Sequence, residues 1–199
     1  MFPTEPRFDR SYRKLARSLM QRATGFSRCP AALLDELVAE GLLERLAVGD
    51  MLQRRNERCD HLLMVIEGAL ESRIVIEGRR RHLIGFLLPG MFAGFLPLID
   101  GGTMPHDVLA HLASIVLRMP AATVQRLRRG SHELHVAFEL QLAERSRRLY
   151  DMVAESMLYS LRERLALQLV QLAEGAGVER AGQWTIALRL SQADLADLL

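Results

Sequence analysis

The chain has 199 residues, 49% apolar and 25% charged, with a formal net charge of +2, a mixture typical of one ordinary globular domain or two small ones. The longest apolar run, residues 83–99, is broken by Pro89, Gly90, Gly94 and Pro97, which excludes a bilayer-spanning helix there. The leading residues, MFPTEPRFDRSYRK, place acids and prolines where a signal peptide would carry its apolar core, so a cytoplasmic protein is expected.

Cys29 and Cys59 have no second cysteine or histidine at ligand spacing, which favours isolated thiols over a zinc site or an iron-sulfur cluster. Residues 1–28 carry seven basic side chains against Glu5 and Asp9. Such a segment either touches nucleic acid or an anionic partner, or is the solvated arginine face of a helix.

Tyr12, Leu15, Leu19 and Met20 fall near helical spacing, so an amphipathic helix is predicted over residues 9–23. A second helix follows, with Pro30 in its first turn and Gly41 just past its end. From Leu46, short apolar runs alternate with Gly, Asn, Asp or Pro, the pattern of a compact all-β unit. Residues 62–68, 70–78 and 82–90 read as successive strands, and Glu77-Gly78 opens a hairpin whose solvated tip carries Arg79, Arg80 and Arg81. Beyond a Gly-rich stretch at 90–103, residues 107–120 supply two more strands and Pro120 begins a short helix.

Residues 132–174 contain neither Pro nor Gly. Phe138, Leu142, Leu149, Met152 and Tyr159 recur there at spacings of three and four, with Arg145 and Ser156 on the same stripe. That stripe is either a loose dimer seam or the core face of a helix in a monomer. Ser160 and Glu163 form a capping box, so the helix is expected to break there, at a hinge, and a new one to run over 161–174. Residues 175–183 read as a linker or loop by their glycine content. Trp184, Ile186, Leu188 and Leu190 then share one strand face, and Ser191 with Asp194 starts a last helix that turns Leu195, Leu198 and Leu199 inward.

This order of elements resembles the catabolite-activator, or Crp/Fnr-like, family of transcription regulators over about residues 30–199. AVGDMLQRRNERCDHLLMVIEGAL (residues 47–70) looks like the family's opening strand pair, with Asn56 at a turn position that suits a left-handed backbone. LPGMFAGFLPLIDG (residues 88–101) looks like its nucleotide-phosphate cassette, and LSQADLADLL (residues 190–199) like the first helix of its helix-turn-helix. The resemblance implies an α+β protein: N-terminal helices (1–45), a cyclic-nucleotide-binding-like β jelly-roll sensor (46–130), a dimerisation helix (131–160) and the start of a winged helix-turn-helix (161–199). It implies a homodimer on a two-fold DNA site, with Ser191 and Gln192 near phosphate. A complete helix-turn-helix needs a turn and a reading helix after Leu199, so specific DNA binding by these 199 residues alone is expected to be weak or absent. The capping box inside an otherwise continuous helical run suggests a mechanism, a shift of the long helix about the break near Ser160 after an event in the sensor. The rival reading is a stand-alone sensor or adaptor dimer that never touches DNA.

The family's effector chemistry does not carry over. Aligned on Pro89-Gly90 and on residues 117–120, Phe95 stands where the cassette has its glutamate, and Met104 and Pro105 where it has its Arg-Ser pair. Leu149 and Tyr150 stand where the dimer helix faces adenine. A buried phosphate would be left poorly compensated, so cyclic AMP is not the expected effector and no cofactor is assigned. The cassette positions Gly94, Phe95, Met104, Pro105, Leu149 and Tyr150 leave either an apolar pocket for a hydrophobic small molecule or an interior filled by side chains. His106, Asp107 and His111 suggest metal or haem ligands, but strand alternation separates neighbours, and hydrogen-bonded histidines are the alternative. No G-x-S-x-G, P-loop or HExxH motif is present, and Glu67, Glu71 and Glu77 read as solvated acids at turn edges, so an enzyme is not expected.

Overall fold

Two helices lead the chain in the computed structural model, which describes residues 6–76 and 81–199: α1 (Pro6–Arg22) and α2 (Ala31–Glu40), joined through a 3-10 turn at Phe26–Arg28. Pro30 caps α2 instead of entering its first turn. Gly41 ends α2 with φ −74°, so a left-handed stop is not its purpose. A Cβ there would lie 2.7 Å from the Leu117 side chain, and the close approach of helix to sheet is what requires glycine. Arg13 of α1 donates to the carbonyls of Val38, Ala39 and Gly41, satisfying orphan acceptors at the end of α2.

The β unit contains β1 (Leu42–Leu46), β2 (Met51–Gln53), β3 (His61–Glu67), β4 (Leu70–Val75), β5 (Arg81–Leu87) and β6 (Phe92–Ala93), then α3 (Phe95–Asp100), β7 (Asp107–Ala110) and β8 (Ser114–Pro120). The strands pair antiparallel in two four-stranded sheets, β1-β8-β3-β6 and β2-β7-β4-β5, the double-sheet arrangement of a jelly-roll. On β3, Leu62, Met64 and Ile66 face the helices while Leu63 and Val65 face the second sheet. A strand covered on both faces has no polar alternation, which accounts for its unbroken apolar run. The change of pattern at Leu46 marks the end of β1, not its start, because β1 is an edge strand with Leu42 exposed. Asn56 has φ 65°, as its turn position implied, and its N–H donates to the Met104 carbonyl at 2.8 Å. The expected hairpin tip at Glu77, Gly78, Arg79 and Arg80 lies outside the described residues; Arg81 opens β5.

α3 sits inside the stretch expected to be a Gly-rich loop. Buried Phe95, Pro97 and Leu98 anchor it, and Gly94 and Gly101 bound it in left-handed conformations. α4 (Ala121–Gly130) follows Pro120 as expected. α5 (His132–Leu158) and α6 (Leu161–Ala176) are separated at the predicted break. The Ser160 N–H donates to the Glu163 carboxylate at 2.8 Å, and the Glu163 N–H donates to Ser160 Oγ at 3.4 Å, so the capping box is complete.

Residues 175–183 are not a linker. α6 runs into them, and β9 (Gly177–Arg180) and β10 (Gln183–Ile186) form a hairpin. Its two-residue turn, Ala181-Gly182, has φ 51° and 77°; two left-handed residues supply the twist that a tight hairpin requires. The expected strand face also breaks up: β10 stops at Ile186, Trp184 is exposed, and of Trp184, Ile186, Leu188 and Leu190 only Leu188 is fully buried. α7 (Gln192–Leu198) is capped by Ser191 and Asp194 as predicted. No helix among the described residues is long and apolar enough to cross a membrane.

Candidate functional site

Gly94 turns the chain from β6 into α3 with φ 98°, and a Cβ there would lie 2.7 Å from the His61 carbonyl. The turn sends Phe95 into the core between sheet and helices. The Phe95 ring lies edge-on to Phe138 at 4.7 Å and 5.5 Å from Phe92, which stacks on Phe26 at 4.8 Å. The Arg145 guanidinium lies 5.1 Å from the Phe95 ring and donates to the Phe92 carbonyl, while Arg128 lies 4.9 Å from the Phe138 ring. Partial burial of Arg145, aided by Arg148, pulls its pKa down to about 10, so the group is still a cation at neutral pH.

These contacts correct the expected dimer stripe. Phe138 is wholly buried within its own chain, so it is core and not seam, while Leu142 and Arg145 are half-buried, the first against the same core and the second on the Phe92 carbonyl. Farther along, Leu149, Val153 and Met157 recur every fourth residue and are 56%, 55% and 78% exposed, which places them on one helix face. Tyr150, Leu158, Tyr159 and Leu161 are exposed beside them. Met152 is half-buried, and the Ser156 hydroxyl turns back to the Val153 carbonyl at 2.8 Å.

Of the six expected pocket residues, Gly94 and Met104 line a common cavity, with Cys59, His61, Leu63 and Val108 among its other walls. Its volume is about 10 Å³, room for about one water molecule. Phe95 points elsewhere, Pro105 is exposed, and Leu149 and Tyr150 stand on the uncovered part of α5. Burial raises the Cys59 thiol and pushes the Cys29 thiol up to about 11; both are free. His106 Nδ1 lies 3.2 Å from the Asp107 carbonyl, and burial lowers the His106 pKa. Among the described residues, no group of three or more His, Cys, Asp or Glu is placed to hold a metal.

A further contact region has no motif of its own in the sequence. Ala69, Leu88, Leu172 and Leu188 form a buried cluster, with Phe86, Ile186 and Leu190 against it, so the C-terminal segment rests on the β unit. Arg81 bonds the carboxylates of Asp194 and Asp197 on α7. Glu71, expected to be solvated, is only 4% exposed. Its carboxylate lies 3.1 Å from His111, 3.1 Å from Arg73 and 3.9 Å from Arg81. The His111 hydrogen bond, then Arg73 and Arg81, hold its pKa below the usual carboxylate range. Of the other two acids, Glu67 accepts the Tyr12 hydroxyl at 2.7 Å and Glu77 lies outside the described residues. The one signal for this contact is Phe86-Leu87-Leu88, three successive apolar residues at the end of a strand expected to have a wet face; such a run indicates cover on both sides.

Ser191 and Gln192 are exposed at the start of α7. At the other capping box, Ser160→Ala is expected to cost about 1 kcal/mol of α6 stability. Amide exchange should quicken in the first turn of α6 and stay unchanged in β3.

Residues 43–131 match the family model described as the cyclic nucleotide-binding domain. No curated protein sequence matches the chain. Among solved structures, FixK2 from Bradyrhizobium japonicum is similar with a TM-score of 0.71 at 19% identity, over 79% of this chain and 76% of that one. The c-di-GMP responsive global regulator CLP from Xanthomonas campestris gives 0.71 at 19%, over 85% and 84%. The sensor domain of the transcriptional regulator DNR from Pseudomonas aeruginosa gives 0.55 at 18%, over 65% and 91%. The chain thus has the cyclic nucleotide-binding fold over residues 43–131, and its overall fold is similar to those of FixK2 and CLP.

Proposed function

We propose that the protein is a cytoplasmic, homodimeric DNA-binding transcription regulator, in which the β unit senses, α5 pairs two copies and the segment from α6 onward leads into the DNA-binding head. The observation that carries this reading is the second half of α5, which leaves its own domain with Leu149, Val153 and Met157 uncovered on one face. A helix with such a face is stable when a second copy covers it. Ser191 and Gln192 then stand at the DNA-facing start of α7, able to meet phosphate but not to read bases. A change at the cassette reaches α5 through Phe95, Phe138 and Arg145, and passes to α6 across the break at Ser160 and Glu163. No catalytic step is assigned.

The same reading gives a cyclic nucleotide no role as effector. Phe95, Met104 and Pro105 offer no charge to a cyclic phosphate, and a cavity of about 10 Å³ is far below the roughly 300 Å³ at which small-molecule sites begin. Thermal-shift titration with cyclic AMP and cyclic GMP is expected to leave the melting temperature unchanged; a rise that saturates with either would refute this part. The regulator reading is tested by chromatin precipitation of the tagged protein in its own cells. Enrichment at inverted-repeat sites is expected, and its absence would favour a sensor or adaptor dimer instead.

A further inference from the structure

His111 follows β7, and its ring stands edge-on to Phe86 at 4.7 Å. Its Nδ1 lies 3.1 Å from the Glu71 carboxylate and its Nε2 lies 2.9 Å from the Arg189 carbonyl. Both neighbours are acceptors. A neutral imidazole has one N–H and satisfies one of them, leaving a lone pair against the other; the imidazolium donates to both. Asp194 on α7 also acts on His111; Arg73 on β4 and Arg81 on β5 face its partner Glu71, and Arg81 in turn holds Asp194 and Asp197.

We propose that His111 is a proton-controlled latch: as the imidazolium it fastens the strand-to-helix segment before α7 to Glu71 of the β unit, and on losing its proton it releases that tie. The inference goes beyond the regulator reading and does not depend on DNA binding. The Glu71 hydrogen bond is the main influence raising the His111 pKa; burial opposes it, and the Arg189 carbonyl and Asp194 add to the rise. Glu71 and His111 both belong to the β unit, so what docking itself adds to the rise comes from the Arg189 carbonyl and Asp194, and it is this part that protonation turns into tighter docking. The added stabilisation is complete below the His111 pKa of the undocked β unit and is lost as pH climbs through the higher value of the docked state. What remains at alkaline pH is the pairing of Arg81 with Asp194 and Asp197, and the apolar contact at Leu188.

The test follows the imidazole signals of the intact chain by NMR across pH 5.5–9 and, in parallel, the amide protection of residues 188–198 corrected for intrinsic exchange. His111 is expected to titrate above 6.5 with both ring nitrogens protonated at the acid end. Protection should fall by about tenfold for each unit by which docking raises that pKa. His111→Gln should abolish the pH step, whereas Arg81→Gln should lower protection at every pH and keep the step. A wild-type His111 that titrates at or below 6.5, or protection that is flat with pH, would overturn the latch without any variant having to fold. A step of unchanged size in a folded His111→Gln protein would overturn it as well.

Discussion

Phe95→Ala should destabilise the chain by about 3–5 kcal/mol, the range for truncating a buried aromatic ring in a packed core. Phe95 is 1% exposed and touches Phe26, Phe92 and Phe138, rings supplied by the 3-10 turn, β6 and α5. Removing it opens a void that none of these elements closes without moving the others. It also takes from the half-buried Arg145 guanidinium the ring face it lies over, which adds to the cost. The measurement is the urea midpoint together with its slope. Phe95→Leu, which keeps most of the volume, should lose well under half as much. A midpoint unmoved by the alanine change would show that the cassette and α5 are not one packed unit, and the proposed route from sensor to dimer helix would go with it.

Charges placed on the uncovered half of α5 should separate the dimer without unfolding the protomer. Val153 and Met157 are 55% and 78% exposed in the single chain, so replacing both by Glu disturbs no intrachain contact of consequence. Each such apolar side chain buried against a partner contributes about 1.5–3 kcal/mol. Losing two from each protomer should weaken association by at least about a thousandfold. Sedimentation equilibrium should show twice the monomer mass for the wild type and the monomer mass for the variant, with the same far-ultraviolet circular dichroism. A monomeric wild type at micromolar concentration would contradict the homodimer directly.

Features governed by neighbours along the chain are legible in the sequence by itself. Ser160 with Glu163 and Ser191 with Asp194 cap their helices because each box closes within four residues. Asn56 takes its left-handed turn because that preference belongs to the residue itself. Turn residues and the double-faced run of β3 are enough to place the β unit, and the order of elements is enough to place the architecture.

The assignments that change on folding all turn on which surface covers which. A stripe at three-and-four spacing looks the same whether it meets its own domain or a second copy, so Phe138 has the pattern of a seam residue although its own core encloses it. Glu71 has the look of an acid at a turn edge, yet His111, Arg73 and Arg81 converge on it from separate parts of the chain. Likewise, the hold of Arg81 on α7 joins residues more than a hundred positions apart. Capping and turn preferences act over a few bonds and are written locally. Burial and charge pairing depend on distances between remote segments, and those distances exist only after the chain has folded.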